Sequence, residues 1–148
     1  MFRGVAQLSL DSKGRLAVPS RYREALLVRC AGRLVITADF DKCLLIYPLP
    51  DWEPIQQKLM EKSALNPRIR NLQRRLVSYA EDIEMDAAGR VLVSSVLRKY
   101  AGLEKNVVLA GLGNKFELWD TQAWEQTQES STGFGDGDLP PELEGFSL

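Results

Sequence analysis

Two copies of one short motif, each combining a carboxylate, a glycine and a guanidinium, stand 75 residues apart in the chain. The first copy is DSKGR at residues 11–15, and the second is DAAGR at residues 86–90. In a tight turn, aspartate accepts hydrogen bonds from the backbone ahead of it, and glycine adopts the positive φ that other residues avoid. The arginine then stands at a rigid strand end, where it can bond a base or a phosphate. The motif therefore predicts two turns that each present an arginine.

The two copies share the arginine but differ in the charge beside it. Lys13 precedes Arg15, whereas Ala88 takes the matching position before Arg90, so we expect the first copy to contribute more to phosphate binding. Two strands joined by a tight turn fit the DNA major groove, and arginine can bond guanine O6 and N7 bidentately. The residues predicted to contact DNA are Arg15, Lys13, Arg90 and, from its charge and position, Arg3. The residues predicted to organise the turns are Asp11, Gly14, Asp86 and Gly89.

The motif has two other interpretations. One is a duplicated salt-bridged turn with a purely structural role. The other is an aspartic protease, in which two carboxylates share a proton. That enzyme class separates Asp from Gly by one Ser or Thr, but two residues intervene here. Each aspartate is also followed four residues later by an arginine that would keep it ionised, so the protease interpretation is rejected.

The composition argues against the common catalytic and metal chemistries. The 148 residues include no histidine, which removes Ser-His-Asp triads, Cys-His nucleophiles and His-ligated metals. The two cysteines, Cys30 and Cys43, do not make a disulfide framework and are expected to be reduced and buried. We therefore predict a protein that is not an enzyme and that needs no cofactor, metal or small-molecule substrate.

The net charge of −1 conceals a strong separation of charge along the chain. Residues 129–148 carry five acidic side chains and no basic one, whereas residues 1–33 carry seven basic and two acidic ones. Residues 58–75 carry six basic side chains and one acidic one. Such a distribution is typical of an acidic protein that has a locally basic binding face. For residues 58–75, the alternative is that the basic side chains are simply exposed to solvent.

The duplication extends well beyond the motif. Each unit alternates apolar and polar residues as half-buried strands do, and it predicts the order strand, turn, strand, short helix and hairpin. No apolar run is long enough to span a bilayer, and the N-terminus lacks the pattern of a secretory signal. The predicted segments are a first repeat over 5–50, a helical connector over 51–80, a second repeat over 81–124 and a flexible acidic tail over 129–148.

Local signals set the expected boundaries of helices and turns. Polar residues ahead of helical segments predict N-caps at Ser20, Asp51 and Asn66, the last being followed by a proline. The helix capped by Asp51 is expected to continue to about Lys62. The sequence GLGN at residues 111–114 predicts the turn between the last two strands.

The paired Asp-x-x-x-Arg motifs, Asp11 to Arg15 and Asp86 to Arg90, together with the opening MFRG, closely resemble the MraZ family of bacterial regulators. The resemblance runs to about residue 125 and implies two SpoVT/AbrB-like domains. The implied fold is mainly β with short helices (α+β), as a pseudo-twofold, tandem swapped-hairpin (double-psi-like) β-barrel. The acidic tail matches no motif of the family.

The resemblance also implies a function. It implies a cytoplasmic, nucleoid-associated transcriptional regulator that forms a ring-shaped homo-oligomer and binds double-stranded DNA. The expected targets are short direct repeats in the promoter of its own operon for cell division and cell-wall synthesis. The alternative is an antitoxin-like or scaffold protein that binds a protein partner, since related folds include antitoxins and fold alone does not fix function.

Overall fold

The computed structural model describes residues 1–130 and 140–146 as a mixed α+β structure. Each half of the chain follows the predicted order of two strands, a helix and a hairpin. The strands of the described chain are β1 (Phe2–Ser9), β2 (Arg15–Ala17), β3 (Arg33–Ala38), β4 (Leu44–Pro48), β5 (Glu81–Glu84), β6 (Arg90–Leu92), β7 (Asn106–Gly113) and β8 (Phe116–Asp120).

Helices connect the strands and follow the last of them. The α-helices in the same residues are α1 (Ser20–Cys30), α2 (Leu49–Met60), α3 (Pro67–Leu72), α4 (Ser95–Tyr100) and α5 (Thr121–Ser130). A π-helical segment, Gln73–Val77, continues directly from α3, and a short 3₁₀ turn spans Pro141–Leu143. Within residues 1–130 and 140–146, no helix has both the length and the apolar character needed to cross a membrane.

The two repeats exchange strands in an antiparallel six-stranded sheet. The strand order is β1-β7-β8-β4-β3-β5, so the first strand of each repeat pairs with the hairpin of the other repeat. The second strands, β2 and β6, pair with each other in a separate two-stranded ribbon, which corrects the expectation that the ribbon consists of the two strands joined by each turn. When β1–β4 are matched to β5–β8, the order reads the same from both ends. A pseudo-twofold axis therefore passes between β4 and β8.

The main sheet is open, which corrects the prediction of a closed barrel. Its edge strands are β1 and β5, and among the described strands these two do not pair. The ribbon strands β2 and β6 have only three residues each, and a single bridge between Leu10 and Leu16 links β2 to the end of β1. Strands this short do not close the sheet. The coarser α+β class is confirmed.

One hydrophobic core is shared by both repeats. Leu16 of β2 and Val91 of β6 are fully buried and face each other across the ribbon. They pack with apolar residues from both hairpins and from α1 and α4. Phe2, Tyr22 and Phe116 add an aromatic cluster, with the rings of Phe2 and Phe116 stacked at 4.4 Å. This core holds the ribbon against the sheet and leaves one ribbon face outward.

Two predicted N-cap positions are wrong, Ser20 by one residue and Asp51 by three. Pro19 and Pro48 have φ and ψ values of −53°/138° and −56°/138°, so each is the non-helical residue before its helix. Ser20 is therefore the first helical residue of α1, and its side chain caps nothing. Asp51 lies inside the first turn of α2 and pairs with Arg29 at 2.8 Å. The helix then ends at Met60, before Lys62.

The turn predicted over residues 111–114 is displaced by one residue: the N–H of Leu112 donates to the carbonyl of Lys115 at 2.8 Å, and Gly113 takes the positive φ of 81° between them. A Cβ atom on Gly111 would lie 2.6 Å from the backbone nitrogen of Arg3 in the paired strand β1. This glycine therefore permits close contact between two strands and does not form a turn.

The connector and the end of the chain match their predictions in part. The side chain of Asn66 caps α3 by accepting a hydrogen bond from the backbone N–H of Arg68 at 2.9 Å, as predicted. The acidic tail was expected from residue 129, but Glu129 still belongs to α5, which packs on Trp119 through Ala123 and Trp124. Residues 131–139 and 147–148, which include much of the predicted flexible tail, lie outside the described residues.

Candidate nucleic-acid interface

The first turn is held by the carboxylate of Asp11. Its Oδ1 accepts hydrogen bonds from the backbone N–H groups of Lys13 at 2.9 Å and Arg15 at 2.8 Å. Its Oδ2 accepts a third, at 2.7 Å, from Nε of Arg15. Gly14 takes the positive φ of 85° that the turn requires. One carboxylate thus fixes both the turn and the root of the arginine side chain.

The second turn repeats this geometry closely. Oδ1 of Asp86 accepts from the N–H groups of Ala88 at 3.0 Å and Arg90 at 2.8 Å, and Oδ2 accepts from Arg90 Nε at 3.2 Å. Gly89 has a φ of 78°. The duplication in sequence is therefore a duplication of one hydrogen-bonded turn.

The hydrogen bonds and the neighbouring positive charge lower the pKa of both carboxylates. The backbone N–H of Arg15 is the main cause that lowers the pKa of Asp11 from 3.8 to about 2, and its guanidinium adds to this effect. The backbone N–H of Arg90 likewise lowers the pKa of Asp86. Both carboxylates are therefore ionised at neutral pH and keep their arginines paired through Nε. The Nη atoms of Arg15 and Arg90 make no hydrogen bond to the described residues.

The ribbon places the two arginines on one surface. Arg15 pairs with Leu92 and Arg90 pairs with Ala17, with the buried Leu16–Val91 pair between them. Directly opposed residues share a face, and residues two positions apart along a strand share it too. Arg15 and Arg90 are therefore diagonal neighbours on the outward face, with Cα atoms about 7–8 Å apart. Between them this face carries only Ala17 and the half-exposed Leu92.

Two further arginines support the turns across the repeat boundary. Arg98 of α4 lies against Gly14 of the first turn, and its Nε donates to the carbonyl of Val93 at 3.0 Å. By the same symmetry, Arg23 of α1 lies against Gly89, and its Nε donates to the carbonyl of Val18 at 2.6 Å. Backbone bonds reinforce both contacts. Sequence reasoning did not select these arginines, although their recurrence in register within the repeat was the available signal.

The remaining predicted residues fall in different places. Lys13 lies exposed at the first turn, beside Arg15, and Ala88 occupies the equivalent position of the second turn. Arg3 lies near the start of β1, eight residues before Asp11, which is about 26 Å along an extended strand. The fold therefore brings Lys13, Arg15 and Arg90 to one region and does not bring Arg3 there.

The described residues contain one cluster with metal-ligand chemistry. Potential ligand atoms of Asp39, Cys43 and Glu117 lie within 4.8 Å of one another. The thiol of Cys43 donates to Asp39 at 3.7 Å, and Glu117 accepts from the indole N–H of Trp119 at 2.9 Å. Burial raises the pKa of Cys43, which favours the thiol over the thiolate that binds metals. Both cysteines are free, and the arrangement acts as a satisfied hydrogen-bond group.

The fold and the site define a class of tandem-repeat protein in which two Asp-x-x-x-Arg turns share one β-ribbon. A family model described as "MraZ protein, putative antitoxin-like" matches residues 1–75 and 76–136. Proteins named "Transcriptional regulator MraZ" match over the full length of both chains, with 58% identity in Nitrosomonas europaea, 61% in Nitrosospira multiformis and 60% in Thiobacillus denitrificans. The chain belongs to the MraZ family.

Proposed function

We propose that this protein is a sequence-specific DNA-binding transcriptional regulator that reads DNA with the ribbon formed by β2 and β6. The observation that carries the proposal is the pair of arginines on one outward face of the ribbon, each clamped at Nε by its own aspartate. A clamped guanidinium has lost much of its rotational freedom, so it loses less entropy when its Nη atoms bond a base. The names of the relatives support the same role.

The targets that we propose are short direct repeats in the promoter of the protein's own operon for cell division and cell-wall synthesis. We also propose that the protein acts in the cytoplasm at the nucleoid and assembles into a ring of copies with a swapped-hairpin, double-psi-like core. One ribbon neutralises few phosphates and binds loosely. Several ribbons on successive repeats would gain about 10²–10⁴ in avidity without new contacts.

A binding titration tests the proposal. Fluorescence anisotropy would compare DNA from upstream of the gene with a scrambled duplex, each at two salt concentrations. The proposal expects tight, salt-sensitive binding that prefers the upstream DNA. Equal and weak binding to both duplexes would overturn it.

The alternative is an antitoxin-like or scaffold role with a protein partner. It is favoured by the wording of the family description and by two exposed apolar residues on α1, Leu27 and Val28, which are 55% and 83% exposed. Changing both to serine separates the two roles. Loss of a co-purifying protein together with intact promoter binding would support the partner role for α1.

A further inference from the structure

The helical connector carries an exposed basic surface that the ribbon does not use. We name it the connector ridge and define it by five exposed cations: Lys58, Lys62, Arg68, Arg70 and Arg74. Glu61 is the only acidic side chain within residues 58–75. The ridge is therefore strongly positive in a protein whose net charge is −1.

No counter-ion from the described residues neutralises the connector ridge. The ion pairs among all described residues join Asp11 to Arg15, Arg29 to Asp51 and Asp86 to Arg90, and none of them includes a cation of the connector ridge. Arg70 and Arg74 are spaced four residues apart, so they lie on the same side of the helix and repel each other. An external anion would relieve this repulsion.

The ridge stands on a fixed frame. The side chain of Gln73 donates to the carbonyls of Leu59 at 3.0 Å and Lys62 at 3.3 Å, which ties the π-helical segment to the end of α2. The buried hydroxyl of Thr37 in β3 donates to the carbonyl of Leu76 at 2.6 Å. The cations are thus presented by backbone that is anchored to the sheet.

A line of contacts joins this frame to the first turn through α4. Arg75 donates to the hydroxyl of Tyr100 at the end of α4 and lies over the rings of Tyr100 and Phe40. On the same helix, Arg98 lies against Gly14 of the first turn. A helix of six residues is about 9 Å long, so the connector and the first turn both contact the same short helix, α4.

We infer that the connector ridge is a second DNA contact, which binds phosphates next to the site read by the ribbon. This inference rests on the proposed function and extends it. Its chemistry is that of point charges against phosphates, so it adds affinity for any duplex and no preference for sequence. It also makes the two halves of the pseudo-symmetric protein unequal, because the connector occurs once.

The test is the salt dependence of DNA binding in the full-length protein. R70Q/R74Q removes two ridge charges, R70K/R74K keeps them, and K115Q removes a charge outside the connector, between β7 and β8. Anisotropy titrations of promoter and scrambled duplexes would be run at four salt concentrations. Because each phosphate contact contributes about 0.9 to the slope of log K against log salt, R70Q/R74Q should flatten the slope by about 1.8 per bound protomer. The ratio of the wild-type binding constant to that of R70Q/R74Q should therefore fall about tenfold between roughly 50 and 200 mM salt.

The inference predicts the flatter slope on both duplexes for R70Q/R74Q, an unchanged ratio between them, and wild-type slopes for R70K/R74K and K115Q. A wild-type slope in folded R70Q/R74Q would overturn it. So would loss of binding to phosphatidylserine vesicles with unchanged DNA slopes, because the ridge would then be a membrane contact. If wild type does not distinguish the two duplexes, the proposed function fails, and the slopes on the scrambled duplex still decide the inference.

Discussion

Arg98 of the second repeat lies directly on Gly14 of the first repeat, so that a Cβ atom at Gly14 would come within 2.7 Å of the Arg98 Nε and 3.0 Å of the Val93 carbonyl oxygen. The partner contact, Arg23 on Gly89, has the same form with the repeats reversed. Each Asp-x-x-x-Arg turn is therefore supported by a helix of the other repeat. The conformation of each five-residue turn therefore depends on contacts with the other repeat as well as on its own sequence.

Gly14→Ala should destabilise the protein by about 2 kcal/mol, because the new methyl group meets a backbone oxygen and because φ of 85° is strained for alanine. The loss should lower the melting temperature by roughly 4–8 °C. Gly102→Ala is the matched control, since Gly102 also has positive φ but has no atom near its Cβ direction. The control should lose only about 1 kcal/mol. Equal losses in chemical denaturation would show that the contact with Arg98 is unimportant.

Asp11→Asn should make stability less dependent on pH. The folded pKa of Asp11 lies near 2, below its ordinary value of 3.8, so its ionised form contributes stability above about pH 4. That contribution falls as pH drops from about 4 towards 2. Urea denaturation should therefore show a wild-type advantage over Asp11→Asn at pH 6 that declines steadily on acidification. An advantage that stays constant down to pH 2 would contradict the role of the ionised carboxylate.

Lys13→Ala should weaken binding to all DNA sequences alike. The side chain is exposed beside Arg15, and a lysine contact with phosphate carries no sequence information. We expect the slope of log K against log salt to fall by about 0.9 per bound protomer, with the preference for promoter DNA unchanged. Ser12→Ala, which changes the neighbouring exposed residue without changing charge, is the control. A reduced preference for promoter DNA in Lys13→Ala would assign base contacts to this lysine.

Deletion of promoter repeats one at a time should reduce affinity far more than it would if each repeat were bound independently. In the proposed assembly, several ribbons that bind successive repeats would gain about 10²–10⁴ in affinity, and this gain should disappear when a single repeat remains. Titrations of duplexes with decreasing numbers of repeats would measure it. The avidity mechanism is wrong if one isolated repeat binds as tightly as the full set.

Local features of this fold were predictable from sequence because they depend on neighbouring residues. The two turns, the order of strands within each repeat and the Asn66 cap all follow from side-chain chemistry within a few positions. Helix starts were less predictable, since Pro19 and Pro48 take the flanking position that the polar residues Ser20 and Asp51 were expected to fill.

Long-range pairing was not predictable in the same way. A hydrophobic pattern shows which face of a strand is buried but does not name its partner, so the exchange of β1 and β5 between repeats left no signal in the pattern. The local sequence predicts a turn at Gly111, whereas its actual role, the close contact with Arg3, arises only from that exchange. The roles of Arg23 and Arg98 depend on the same pairing.

Arg15→Ala and Arg90→Ala give the most direct test of the ribbon as the DNA-reading element. Each variant would be titrated against promoter and scrambled duplexes, with K115A as the control and circular dichroism to confirm folding. Each arginine variant should lose about 1–3 kcal/mol of binding free energy for the promoter duplex and less for the scrambled duplex. The lost specificity should lie mainly at one guanine position of the promoter site. Folded variants that both retain wild-type discrimination would contradict the account.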